Sequence, residues 1–540
     1  MGVEREGMIE GGGAGDARAG GAPSTGRRPD GAGESVPRWR SPLGRAGPLI
    51  AARLLSATFS VSIPLVLART LPLADYGTYK QLSLVSMMVG AVAPLGMAQS
   101  LYYFLPRSSA RRAYLGQTFG FLCVAGAIAG AAMFAARPLI ASALTNPGLL
   151  EHGGELALFS ALTVAGCGLE ASLTSRGQVR LAAVVYLVSD AIKAAVLIVP
   201  TVTGFGLHGM MTGLIAYAAV RLAAAWALTL ATSGGRLLDL HLLREQLRYA
   251  LPFGAAIAVA IPQQYAHQLI VAHAVGPAVF AIYAVGVFEL PFVDLFYTPT
   301  GEVLMVQVGE LDGAGRRAEA VLAFRSAVER LAALLLAPIF FVWGIAPIFL
   351  VTVFGPRFAD ALPVFRIALF VMPLAVWPLD AMLRARGETR HILLSYALKA
   401  CVSIPLAWIA VTWYGLSGAV GSYLFAEVLG RVFLAWRLPG ALSTAEHRVR
   451  IRDLVPVRNL ARITAWSAML ALVGVAALHL ARSVHGPDSG QLRSSVIPLV
   501  LASSAFGLAY LAVLVLSNVP LPGALGALLG RRRSGTSMAT

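Results

Sequence analysis

The chain has 540 residues, of which 57% are hydrophobic and only 13% charged, with a mean hydropathy of +0.72. Soluble domains carry roughly 25% charge and a membrane-crossing helix needs about 20 apolar residues, so this composition excludes soluble, secreted and nucleic-acid-binding classes. It predicts an all-α polytopic membrane protein, and the net charge of +16 has to be explained by topology rather than by a polyanionic partner.

Residues 1–45 are rich in Gly, Ala and Arg without apolar periodicity and are expected to form a disordered cytoplasmic tail. No signal peptide is expected, because the first apolar run starts near Ala46, is too long for a signal core and ends at Arg69. Apolar stretches then follow at 46–69, 81–105, 114–136, 155–175, 181–200 and 208–231, a six-helix bundle over 46–231. After a cytoplasmic linker at 232–248 come stretches at 249–274, 278–306, 328–354, 359–383, 391–412 and 413–436, a second bundle over 249–436. A basic cytoplasmic loop at 437–462 leads to two more spans within 463–517, at 463–482 and 495–517, and a cytoplasmic tail at 518–540. The expectation is fourteen helices, as two pseudo-symmetric bundles of six plus two.

Counting boundary residues, alternate connections beginning with the N-terminal tail hold 31 Lys and Arg against 6 in the others. This bias places both termini in the cytoplasm and accounts for the basic excess. The three cysteines, Cys123, Cys167 and Cys401, lie in apolar runs with no metal or disulfide spacing, and neither metal nor cofactor is expected. No H-E-x-x-H pair or P-loop occurs, and the longest outer loop, about 137–154, offers only Glu151 and His152 as chemistry. A membrane glycan polymerase or ligase is therefore disfavoured, and the chain is read as a non-enzyme.

Two internal echoes cross the middle of the chain. Val202-Thr-Gly-Phe-Gly-Leu-His-Gly209 aligns with Val411-Thr-Trp-Tyr-Gly-Leu-Ser-Gly418 at an offset of 209, and Leu67–Leu82 aligns more weakly with Val271–Gly286, placing Tyr79 opposite Tyr283. An even number of spans separates the copies, so both halves run in the same orientation, as in parallel-repeat transporters that work by alternating access.

The segment Ala68-Arg-Thr-Leu-Pro-Leu-Ala-Asp-Tyr-Gly-Thr-Tyr79, the G-L-x-G openings of spans six and twelve, and the turn at Leu379–Arg390 resemble polysaccharide-repeat-unit flippases of the multidrug/oligosaccharidyl-lipid/polysaccharide exporter superfamily. The resemblance covers about residues 46 to 440. It implies export of an undecaprenyl-pyrophosphate-linked oligosaccharide across the bacterial cytoplasmic membrane for polysaccharide biosynthesis, with membrane lipid around the tail and association with polysaccharide polymerase machinery. A lipid II flippase or a multidrug exporter of the same superfamily is the alternative. One departure stands in span seven, where many members carry an acidic-basic pair and this chain has His267-Gln268.

Ionisable side chains inside the bilayer are costly and ordinarily face a partner or a water-filled cavity. Six cations fall inside the predicted spans: Arg53, Lys193, Arg221, Arg366, Lys399 and Arg431. Arg221 and Lys399 have no acid at helical spacing and are expected to line a cavity that attracts a pyrophosphate. Asp190 with Lys193 and Glu427 with Arg431 are spaced to pair along one helix face. Arg53 fits either snorkelling or a cavity, Glu170 either role, and Arg366 and Asp380 read as anchors. Gln263, Gln264 and His267 in span seven need partners that lipid cannot give, either sugar hydroxyls or neighbouring helices. The substrate-binding candidates are thus Arg53, Lys193, Arg221, Gln263, Gln264, His267 and Lys399. Asp190, Glu289 and Asp294 are candidates for proton or ion coupling, the last two beside Pro291 in a span expected to be interrupted.

Overall fold

The computed structural model describes residues 56, 58–59, 61–232, 234–443, 449–485 and 490–516. Arg53, both tails and residues 444–448 lie outside the described residues. Every regular element among the described residues is helical. The N-terminal half holds α1 (Val61–Thr70), α2 (Leu73–Val92), α3 (Met97–Phe104), α4 (Arg111–Ala143), α5 (Gly148–Glu151), α6 (Gly153–Gly166), α7 (Leu169–Ser175), α8 (Val179–Val202) and α9 (Gly206–Leu230). The rest holds α10 (Leu240–Ala274), α11 (Pro277–Gly286), α12 (Phe292–Gly313), α13 (Arg317–Phe354), α14 (Leu362–Leu369), α15 (Leu379–Ala385), α16 (Thr389–Leu442), α17 (Ile451–Leu454), α18 (Val457–His485) and α19 (Gly490–Leu516).

Nine of the described helices, or ten if the bent pair α2 and α3 is one span, are long and apolar enough to cross a membrane, against an expectation of fourteen. The difference has identifiable sources. The 54-residue α16 is too long for one crossing, since at 1.5 Å per residue it would run about 80 Å. It turns at Gly415, whose φ of 58° and ψ of −140° leave helical space, close to the predicted boundary at 412/413. α10 carries Gln263, Gln264, His267 and Gln268 and is not apolar enough to qualify. The stretch at 278–306 is two pieces, because α11 ends at Gly286 and α12 starts at Phe292. Pro291 and the segment before it make that break, as the sequence predicted.

Small residues set the closest helix approaches. A Cβ added at Gly126 would lie 2.4 Å from the Ala161 carbonyl oxygen, and one at Gly130 2.9 Å from that of Ala157, so α4 and α6 meet backbone to backbone along a G-x-x-x-G stripe. The halves meet in the same manner where Gly77 of α2 faces Pro277 of α11, with 1.8 Å to the carbonyl oxygen for any added Cβ. Polar contacts tie the same end of the molecule. Arg69 donates to the carbonyls of Val353 (3.0 Å) and Thr352, Arg357 to those of Leu71 (2.6 Å) and Ala68, and Thr145 to that of His273 (2.6 Å). Buried Tyr76 sets its edge on Phe358 with ring centres 5.7 Å apart. One hydrophobic core runs across this seam, from Leu67 and Tyr76 through Tyr283 to Phe354 and Phe365. α18 and α19 pack outside it, against α13 through Phe341, Leu478 and Phe506.

Candidate functional site

Among the described residues, a polar cavity lies within the helices of each half. The N-terminal cavity, about 270 Å³, is framed by α6 to α9 and receives Glu170, Tyr186, Ser189, Asp190, Lys193 and Arg221. Tyr186, Ser189, Asp190 and Lys193 share one stripe of α8 because residues three and four apart superpose on a helix. Arg221 comes from α9 and meets Glu170 of α7 in a bidentate pair, with N–O distances of 2.5 and 2.8 Å. The guanidinium also donates to Ser189 Oγ at 2.8 Å and lies 5.7 Å from the Tyr217 ring centre. Asp190 accepts from Ser56 Oγ of the first span.

The C-terminal cavity, about 240 Å³, is lined by Gln263 and Gln264 of α10, Tyr297 of α12, Asp380 of α15, and both arms of α16. The bend at Gly415 is what lets one helix supply both walls. Lys399 on the first arm reaches Glu427 on the second, Nζ to Oε1 at 2.7 Å, and lies 4.8 Å from the Tyr396 ring centre. Gly430 clears the path, since a Cβ there would be 2.7 Å from Lys399 Cδ. Asp380 accepts from Tyr297 and from Arg384, and Arg431 donates to the Trp377 carbonyl at 2.7 Å. Gln263 is 2% exposed, and neither its amide nitrogen nor its amide oxygen has a hydrogen-bond partner among the described residues. Such a group costs about 1–3 kcal/mol when left unpaired.

These placements correct several expectations. Arg221 and Lys399 reach cavities, but each is neutralised by an acid from a different helix segment, which helical spacing along one segment could not reveal. Glu427 takes Lys399 and not Arg431, and Asp190 takes Ser56 and not Lys193. Asp380 is a cavity wall rather than an anchor, whereas Arg366 stacks at 5.0 Å on Trp343. Gln263, Gln264, Lys193, Arg221 and Lys399 all line a cavity. His267 lines neither: it is buried, 2.6 Å from the Tyr283 hydroxyl, and stacks on Tyr423 with ring centres 4.3 Å apart. Its route to the C-terminal cavity is through Tyr423, which does line it. Glu289 and Asp294 sit exposed at the break between α11 and α12, outside both linings. The tyrosines were overlooked, yet they carry a signal: Tyr186, Tyr217, Tyr396 and Tyr423 each precede a cavity charge by one helical turn.

Residues 66–363, more than half of the chain, match the family model described as polysaccharide biosynthesis protein. The chain belongs to that family. A search of curated proteins returns no match. Among solved structures the fold is similar to the lipid II flippase MurJ in an inward closed conformation, with a TM-score of 0.61 and 10% identity over 86% of this chain and 99% of that one. It is similar also to an inward-facing multidrug resistance MATE family transporter of the MOP superfamily, with a TM-score of 0.57 and 16% identity over 73% of this chain and 96% of that one. A MOP superfamily transporter from Pyrococcus furiosus gives a TM-score of 0.52 at 14% identity, over 74% and 96%. The resemblance read from the first loop and the two halves is thereby borne out at the level of family and fold.

Proposed function

We propose that this protein is a flippase that carries an undecaprenyl-pyrophosphate-linked oligosaccharide from the inner to the outer leaflet of the bacterial cytoplasmic membrane, for polysaccharide biosynthesis. The observation that carries the reading is the C-terminal cavity, in which a Lys399–Glu427 pair, four tyrosine or glutamine side chains and an unsatisfied Gln263 amide converge in a membrane helix bundle. A pyrophosphate is the anion that competes with Glu427 for Lys399. Sugar hydroxyls both donate and accept, which is what a buried amide with two idle atoms requires. Tyrosine rings offer flat apolar faces with a polar rim to a sugar. The chain of events needs no covalent step and no cofactor.

In this reading both termini are cytoplasmic, fourteen segments cross the membrane and the two halves rock about the cavities. The 31 to 6 distribution of Lys and Arg supports the orientation. Under it, the seam from Gly77–Pro277 to Arg357–Leu71 seals the outer side, so the structure is a state closed to the outside. The repeat is supported by Gly206 and Gly415, which share the offset of 209 and have φ of 57° and 58°. Asp190, which faces the N-terminal cavity, is retained as the coupling acid in preference to Glu289 and Asp294, and association with polymerase machinery follows from the product's use.

The test is leaflet translocation in proteoliposomes holding the purified protein, with a fluorescent undecaprenyl-pyrophosphate oligosaccharide, a lipid II analogue and a cationic dye in parallel. Selective movement of the oligosaccharide lipid is expected. Selective movement of lipid II or of the dye would replace the proposed cargo with that one.

A further inference from the structure

Outside both cavities, three potential metal ligands converge at the N-terminal ends of α6 and α9. His152 and Glu155 stand three residues apart at the start of α6, and His208 belongs to the G-L-H-G opening of α9. Glu155 Oε2 is 2.8 Å from His152 Nδ1, and Glu155 Oε1 is 2.5 Å from His208 Nδ1. One ligand atom from each of the three lies within 4.8 Å of the other two. Side-chain exposures of 17%, 20% and 77% leave an approach on the His208 side.

We propose that His152, Glu155 and His208 bind a divalent transition-metal ion of the zinc class. The donor set argues for that class: two imidazole nitrogens and one carboxylate suit zinc, which takes three protein ligands and a water at about 2.0–2.2 Å. Calcium and magnesium need mostly oxygen ligands, and here a single carboxylate supplies them. The site carries one negative charge when both imidazoles are neutral. To bind the ion, an Nδ1 that donates to the carboxylate must first pass its proton to Nε2 of the same ring or to water, and the 2.5 and 2.8 Å contacts with Glu155 must open to roughly the 3.3 Å that separates ligands around a tetrahedral zinc. Because α6 and α9 both run down to the N-terminal cavity, a bound ion fixes the separation of the two helices on either side of Arg221.

The test uses the full-length protein in detergent, with any affinity tag removed, titrated with zinc by calorimetry and with cobalt by visible absorption. One zinc per chain is expected, together with a tetrahedral cobalt spectrum and no heat with calcium or magnesium. H208A and E155Q should each weaken zinc by roughly tenfold or more, and zinc should raise the melting temperature of the wild type but not of these variants. H391A removes a histidine paired only with Glu388, at 3.2 Å, and should leave binding unchanged. Absence of zinc binding in the wild type would overturn the site, as would equal binding by wild type, H208A and E155Q. If H208A alters the metal-free melting temperature, His208→Gln supplies the same comparison with a hydrogen-bonding side chain retained.

Discussion

The two cavities use the same chemistry with opposite degrees of completion. In the N-terminal cavity the Arg221 guanidinium has both oxygens of Glu170, the Ser189 hydroxyl and the Tyr217 ring around it. In the C-terminal cavity the Lys399 ammonium has one carboxylate oxygen and one ring, and the adjoining Gln263 amide has no partner among the described residues. At the offset of 209, Asp190 falls opposite Lys399 and Arg221 opposite Gly430, three residues from Glu427, so the two ion pairs are built from non-equivalent positions of the two halves. A planar fork held by both oxygens of one carboxylate and by a hydroxyl is a more constrained contact than a point charge with one carboxylate partner. We therefore propose that the C-terminal cavity takes the cargo and that the Arg221–Glu170 pair of the N-terminal one holds α7 and α9 together, with Asp190 beside it left for coupling.

The largest effect that separates these roles is expected from Glu170→Gln. Removing one member of a buried pair leaves an uncompensated charge, at about 3 kcal/mol for groups that keep some access to water. The variant should unfold at a lower temperature in detergent, and Glu170→Gln with Arg221→Gln should recover part of the loss. A Glu170→Gln protein as stable as wild type would remove the structural assignment of that pair. Lys399→Gln also leaves a carboxylate, Glu427, without its partner, so its melting temperature should fall too, but translocation per folded protein should drop on the order of 10- to 100-fold, the size of one charge-assisted hydrogen bond. Undiminished translocation in proteoliposomes would exclude Lys399 as the pyrophosphate ligand. Gln263→Leu comes next: two unpaired polar atoms leave a buried position, so stability should hold or rise while translocation falls roughly tenfold. A loss of stability instead would mean that the amide is a packing group.

Much of this was legible in the residues and some could not have been. The all-helical membrane fold followed from apolar run length, and the break before Phe292 from Pro291 and its polar neighbours, because both are local properties of the chain, whereas nine or ten of the described helices qualify as spans against the fourteen expected. The pairing of Arg221 with Glu170 and of Lys399 with Glu427 is not local: 51 and 28 residues separate the partners, and only the packing of α7 against α9 and the bend at Gly415 bring them together. Helical spacing favoured Glu427 with Arg431 four residues on, yet Arg431 turns to the Trp377 carbonyl. His267 illustrates the complementary problem. Its polar neighbours pointed to a wet site, but the hydroxyl that satisfies it belongs to Tyr283 on the next helix, and proximity of that kind depends on how α11 docks against α10.

The smallest expected effect is also the sharpest probe of the Lys399–Glu427 pair. Gly430 has no side chain where the Lys399 stem passes, and an alanine methyl would sit 2.7 Å from Cδ and 3.0 Å from Cγ. Those atoms are the middle of a flexible chain, so Gly430→Ala should be accommodated by rotating Lys399, and on a helix arm the substitution gains up to about 1 kcal/mol of intrinsic propensity. Stability should stay level while the ammonium moves off Glu427, and translocation should fall only a few-fold, about 1 kcal/mol or less on the scale of 1.4 kcal/mol per decade. The placement of Lys399 is what the variant tests, because the charges themselves are retained. A Gly430→Ala protein that transports as wild type would show that the position of the ammonium within the cavity is not critical, and would shift the specific contact to Gln263 and Tyr396.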